Sequence, residues 1–144
     1  MLYLIKDITD SFFNFLNEDP VRPSIPTTQR LGENRDVFVM RNDDDTLKAI
    51  TCVSYQKQIP TTESALFEIT DVPEVVIFYT IWSYVPGAGR ELIFAARDWI
   101  LENKPEIKRF VTLSPPSEMA RKFHIKNGAT VYQVNTDTVN YEYI

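Results

Sequence analysis

A continuous apolar run, Val75-Val-Ile-Phe-Tyr-Thr-Ile-Trp82, is rich in β-branched and aromatic residues and predicts a central strand covered on both faces. It passes through Ser83-Tyr-Val-Pro-Gly-Ala-Gly-Arg90 into a helix that starts at or near Gly89, where Leu92, Ala96, Trp99 and Ile100 recur at helical spacing and Lys104-Pro105 stops the pattern. Ile107 to Leu113 reads as another strand, so the unit is a βαβ crossover with two parallel strands and a right-handed connection. Ser114-Pro-Pro116 then predicts a helix start, with a Ser cap and proline in the first turn. That helix runs to about Asn127, Gly128 supplies a left-handed end, and Ala129 to Val134 and Val139 to Ile144 form a closing hairpin around Asn135-Thr-Asp-Thr138.

Upstream, Leu2 to Ile5 predicts a short first strand, and Thr9 or Asp10 caps a helix whose apolar side holds Phe12, Phe13 and Leu16. Three prolines between Pro20 and Pro26 exclude regular helix there and predict a shaped loop, with a short turn of helix at Thr27 to Leu31. Asp36 to Met40 and Leu47 to Tyr55 form an antiparallel hairpin, and Leu47, Ala49, Thr51, Val53 and Tyr55 are expected on one face. Its turn carries Asp43, Asp44 and Asp45 but lacks the glycine and distal glutamate of an EF-hand, so it reads as a solvated turn, and no metal site is expected. Residues 60 to 74 make a polar loop, with a helical turn at Thr62 to Phe67.

With 144 residues, a 44% hydrophobic fraction and no low-complexity tract, residues 1–144 are expected to form a single domain around one core. The net charge of −5, without a basic run interleaved with aromatics, argues against a nucleic-acid surface and for an amine-bearing partner. The only cysteine, Cys52, sits in the strand pattern Ile50-Thr-Cys-Val-Ser54 and reads as a small buried hydrophobe. Met1 to Ile5 is followed at once by Lys6 and Asp7, too short an apolar stretch for a signal peptide or a membrane span, so the expected location is cytoplasmic.

The strand–Gly-x-Gly–helix junction is where chemistry is expected, because Gly87 and Gly89 let a phosphate approach main-chain N–H groups at the positive end of a helix. The element order, this junction and the segment Met119-Ala-Arg-Lys-Phe-His-Ile-Lys-Asn-Gly-Ala129 together resemble the GNAT superfamily of acyl-CoA N-acyltransferases over nearly the whole chain. The resemblance implies an α/β fold with a twisted, mostly antiparallel mixed sheet of six to seven strands and about four helices. In the family's pyrophosphate pattern, Gly87, Ala88 and Gly89 match, Tyr84 stands where Gln or Arg is usual, and Arg90 offers a positive charge beside the turn. In the second motif Ala120, Phe123 and Gly128 match, His124 takes the place of the family's tyrosine, and Ser117 that of an asparagine.

What the resemblance implies is acetyl-CoA as co-substrate, held by Trp82, Ser83 and Tyr84 of the strand, by Gly87, Ala88, Gly89 and Arg90 of the turn, and by Ser117 and Phe123. A primary amine of a small molecule or protein would attack the thioester directly, with His124, the only histidine, as acid toward the departing thiolate. Two alternatives stay open. His124 can be a helix residue without chemical duty, and the whole chain can be a GNAT-shaped binding or structural protein without turnover. No general base is assigned, although Glu68, Asp71 and Glu74 fall near the right place in chain order. A homodimer through the last strands is possible if Tyr132, Tyr141 and Tyr143 face outward.

Overall fold

The computed structural model describes residues 1–143. Its strands are β1 (Leu2–Ile5), β2 (Arg35–Arg41), β3 (Leu47–Gln56), β4 (Val75–Ser83), β5 (Arg109–Thr112), β6 (Thr130–Val134) and β7 (Val139–Tyr143). Two α-helices, α1 (Ala88–Asn103) and α2 (Glu118–Lys126), and three 3-10 segments, Phe13–Glu18, Thr27–Arg30 and Ser64–Phe67, complete it. The seven strands form one sheet in the order β1-β2-β3-β4-β5-β7-β6. Only β4 and β5 run parallel, as the α1 crossover between them requires. Among the described residues no helix is long and apolar enough to cross a membrane, and no cluster of His, Cys, Asp and Glu could hold a metal ion.

The central strands are buried on both faces, whereas the edge strand β6 is exposed. Leu92, Ile93, Ala96 and Ile100 of α1 pack with Phe38, Val53 and Val76 on one side, while Phe12, Phe13, Leu16, Ile25 and Leu66 cover Val37, Ile50 and Ile77 on the other. The second layer is loop and 3-10 structure rather than α-helix. The segment expected as a capped helix after Asp10 holds only the 3-10 turn Phe13–Glu18, because Pro20 follows too soon for longer helix to form.

Two irregularities rearrange the expected faces. The register between β2 and β3 shifts at Met40/Arg41, so Leu47 joins the loop-covered face rather than that of Ala49, Val53 and Tyr55. In β4, Thr80 pairs with Cys52 and Phe78 with Val53, which leaves Tyr79 as a bulge. Tyr79 faces Cys52 and the loop layer on the same side as Val75 and Ile77, where it is a core aromatic.

The last helix also starts later than expected. Its cap is Ser117, whose Oγ accepts from the Ala120 N–H at 3.2 Å, and not Ser114, which instead exchanges two 2.9 Å backbone bonds with Val139. In the closing hairpin Tyr141 and Tyr143 are buried under α2, so of the three tyrosines only Tyr132 faces outward.

Candidate functional site

β4 and β5 stay paired from Val75–Arg109 to Phe78–Thr112, and one further bond joins the Leu113 N–H to the Phe78 carbonyl. Beyond that point β4 continues to Ser83, while the chain after β5 is drawn away by the Ser114–Val139 bridge. The two strands therefore fork, and a cleft of about 370 Å³ opens between them, reaching from Thr80 and Ser114 at the fork past Ile81 and Ser83 to Gly89 and α2. Phe78, Ile81, Trp82, Met119 and Phe123 make its wall mostly apolar, and no carboxylate lines it among the described residues.

One end of the cleft is the N terminus of α1. Gly87 is the residue before the helix, left-handed at φ 82°, a backbone that a side chain disfavours, and no side chain caps the helix. Ala88 N–H is bonded to the Val85 carbonyl, but the N–H groups of Gly87, Gly89 and Arg90 have no acceptor among the described residues. Three free amides at the positive end of a 16-residue helix suit an anion such as a phosphate. Gly89 has a second reason to be glycine: a Cβ there would stand 3.1 Å from the Phe123 ring, so its small size lets α2 close on α1. The Arg90 guanidinium lies at the junction, 3.0 Å from Asn127 Oδ1 and over the Phe94 ring.

The α2 wall carries His124. It is 4% exposed, with Nδ1 2.6 Å from the Tyr143 hydroxyl and its ring stacked at a tilt on Tyr141. Burial lowers its pKa to about 4, so the imidazole is neutral at physiological pH. Nε2 makes no hydrogen bond among the described residues, and His124 is one of the residues that line the cleft.

The structure thus brings Trp82, Ser83, Gly89, Ser117, Phe123 and His124 to one cleft, with the Gly87 amide, Ala88 and Arg90 at its α1 end. Tyr84 does not join them. Its hydroxyl accepts from Trp82 Nε1 at 3.0 Å and donates to Glu18 at 2.7 Å, and its ring packs edge-on against Phe15 of the loop layer. Burial and the Glu18 carboxylate push its pKa up to about 12. Glu68, Asp71 and Glu74 line no part of the cleft. Cys52 is fully buried, and burial raises its thiol to about 12, which fits a packing residue.

Two participants escaped the sequence. Ser114 lies at the fork, its hydroxyl donating to Thr112 Oγ1 at 2.8 Å, and it was hidden by its resemblance to a helix cap. Arg22, inside the proline-rich loop, reaches the fork from the other face: Nε donates to the Tyr79 carbonyl at 3.2 Å and Nη2 to the Leu113 carbonyl at 2.8 Å. No local pattern signals either contact.

A seven-stranded mixed sheet with a βαβ unit whose parallel strands fork beside a free helix N terminus places the chain among the α/β domains built on one mixed sheet. Within that class, the chain has the GNAT fold. No family model matches the sequence, and no curated protein matches it. Among solved structures, it is similar to a malonyl-CoA decarboxylase from Agrobacterium vitis, at 17% identity and TM-score 0.82 over 99% of this chain and 60% of that one. It is similar to aminoglycoside acetyltransferase AAC(6')-Ib in complex with coenzyme A and kanamycin, at 18% identity and TM-score 0.68, covering 99% and 93% of the two chains. It is also similar to the GNAT domain of S. lividans PAT, at 13% identity and TM-score 0.65 over 99% and 88%. The chain spans about 60% of the length of the malonyl-CoA decarboxylases it matches.

Proposed function

We propose that the cleft binds an acyl-CoA thioester and that the domain transfers the acyl group, acetyl in the simplest case, to a primary amine. The observation that carries this is the juxtaposition of three free amides at the α1 N terminus with an apolar cleft ending at the β4–β5 fork. The amides suit the pyrophosphate of coenzyme A, and the cleft suits its pantetheine arm. At the fork the neutral amine nitrogen attacks the thioester carbon, the C–N bond forms and the C–S bond breaks, the nitrogen gives up a proton, and the departing thiolate takes up one, so that an amide and a free thiol result. His124 enters as a neutral group: when the Tyr143 hydroxyl donates to Nδ1, the ring proton sits on Nε2 and offers a hydrogen bond to the departing sulfur. AAC(6')-Ib, crystallised with coenzyme A and kanamycin, supports both the cofactor and an amine acceptor.

A second reading is favoured by two observations. The three malonyl-CoA decarboxylases superpose at TM-scores of 0.76 to 0.82, above the 0.68 of the aminoglycoside enzyme, and no carboxylate stands in the cleft to take a proton from an ammonium. In that reaction the C–C bond of a malonyl thioester breaks, carbon dioxide leaves, and the resulting carbanion takes a proton to give an acetyl thioester. An apolar cleft favours loss of the charged carboxylate, and the carbanion is basic enough to take a proton from a neutral donor such as His124.

One experiment separates the readings. The protein is titrated calorimetrically with acetyl-CoA and malonyl-CoA, then incubated with each in the presence of simple amines, and the products are read by mass spectrometry. Acylated amine with free coenzyme A supports transfer, and acetyl-CoA formed from malonyl-CoA supports decarboxylation. Binding without either product marks a binding domain, and no binding at millimolar ligand sinks the acyl-CoA assignment itself.

A further inference from the structure

The loop between the 3-10 segments Phe13–Glu18 and Thr27–Arg30 is tied down by buried polar contacts. Asp19 and Arg30, both almost fully buried, form an ion pair at 2.6 Å. Asp19 Oδ1 also accepts from the N–H groups of Val21 and Arg22 and from Thr80 Oγ1 at 2.8 Å, while Arg30 Nη2 donates to the Arg22 and Ile25 carbonyls. This latch sets Pro20 and Val21 against the cleft and sends Arg22 into the fork.

On its other side Arg22 borders a polar cavity of about 750 Å³, lined also by Thr61, Glu63, Asn135 and Asp137. Arg22 is 8% exposed, and its guanidinium takes the Tyr79 carbonyl of β4 and the Leu113 carbonyl just after β5 and keeps Nη1 3.4 Å from Glu63. Arg22 lines the polar cavity and not the cleft, whereas Tyr79, whose carbonyl it holds, and Ser114, next to Leu113, line the cleft, so the side chain lies between the two where β4 and β5 separate.

We propose that Arg22 is a specificity-determining plug that seals the thioester end of the cleft from the polar cavity, so that the acyl group is reached only through the cleft mouth. It follows that the second reactant is small: a proton or a small amine can enter beside the bound thioester, whereas a bulky acceptor lodged in the polar cavity cannot reach it. The inference rests on the acyl-CoA reading for its chemistry, but the seal itself is a property of the fork.

The test compares wild type with Arg22→Ala and with Arg22→Gln, which keeps one donor for a strand carbonyl and guards against a fold lost in the alanine variant. Thermal melting establishes that each is folded, and calorimetry measures acetyl-CoA binding to each. Hydrolysis of acetyl-CoA is followed by thiol release: water adds its hydroxyl to the acyl carbon and its proton goes to the departing sulfur. Opening the fork admits water, so hydrolysis should rise on the order of tenfold in Arg22→Ala, and less in Arg22→Gln, with acetyl-CoA affinity little changed. Binding retained with hydrolysis unchanged in both variants overturns the proposal. If no protein binds acetyl-CoA, it is the acyl-CoA reading that fails. The crystal structure of the folded variant then decides the plug: joined cavities sustain it, and cavities still separated overturn it.

Discussion

His124 shows how a residue's surroundings change its chemistry. The sequence offers an imidazole at a motif position, and the usual expectation is a group that titrates near neutrality. Packed between Phe123, Tyr141 and Tyr143, its charged form is disfavoured, and its pKa of about 4 lies below the ordinary 6.5. The unfolded chain therefore binds a proton that the native one does not between these two values, so this residue's contribution to stability is complete above pH 6.5 and is lost as the pH falls toward 4. The size is about 3 kcal/mol at the limit. Chemical denaturation of wild type and His124→Phe at pH 7 and pH 4.5 should show the larger acid loss in wild type. Equal losses would mean that the imidazole is solvated. The variant also strands the Tyr143 hydroxyl, which lowers stability at both pH values and leaves the difference intact. Asp36, whose carboxyl burial holds above its usual range, titrates alike in both proteins and cancels.

The two glycines of the turn belong to the scale of elements, because one shapes the start of α1 and the other the contact between α1 and α2. Gly87→Ala meets no atom within 4 Å but must hold φ 82°, at a cost of about 1–2 kcal/mol. Gly89→Ala, in the first turn of α1, gains less than the roughly 1 kcal/mol of an interior position and presses its Cβ on Phe123. We expect Gly87→Ala to lower the melting temperature with a modest loss of acetyl-CoA affinity. Gly89→Ala should change the melting temperature little and weaken binding more, since Phe123 must shift into the cleft. The reverse order in paired melts and titrations would mean that the helix contact does not shape the cleft. At this scale much was legible in advance. The apolar run of β4, the amphipathic stripe of α1 and the glycine after α2 are local signals that tertiary structure had no reason to overrule, and they place one wall and one end of the cleft. The bulge at Tyr79, the register shift that moves Leu47 and the displacement of the α2 cap from Ser114 to Ser117 depend on pairing partners far away in the chain, which no local pattern carries.

Across the whole molecule, the layer that covers the sheet opposite α1 has little regular structure of its own, so its order must come from side chains. The Asp19–Arg30 pair is the chief candidate, tying residues 19–30 to Thr80 in β4 and, through Arg22, to the end of β5. Such a pair is a weak source of net stability, since two charges were taken out of water to form it, but losing one partner strands the other. Arg30→Met should therefore cost about 3–5 kcal/mol, a large part of the 5–15 kcal/mol typical of a domain. The double variant Asp19→Asn with Arg30→Met should recover part of that loss, because no unpaired charge remains buried. Urea denaturation of the four proteins gives the cycle directly. If Arg30→Met and the double variant are equally destabilised, packing of the arginine stem rather than charge pairing holds the layer, and the loop's grip on the fork must be explained by its prolines. A recovery of 1 kcal/mol or more would make the ion pair the element that joins this irregular layer to the sheet, and with it the position of Arg22 at the end of the cleft.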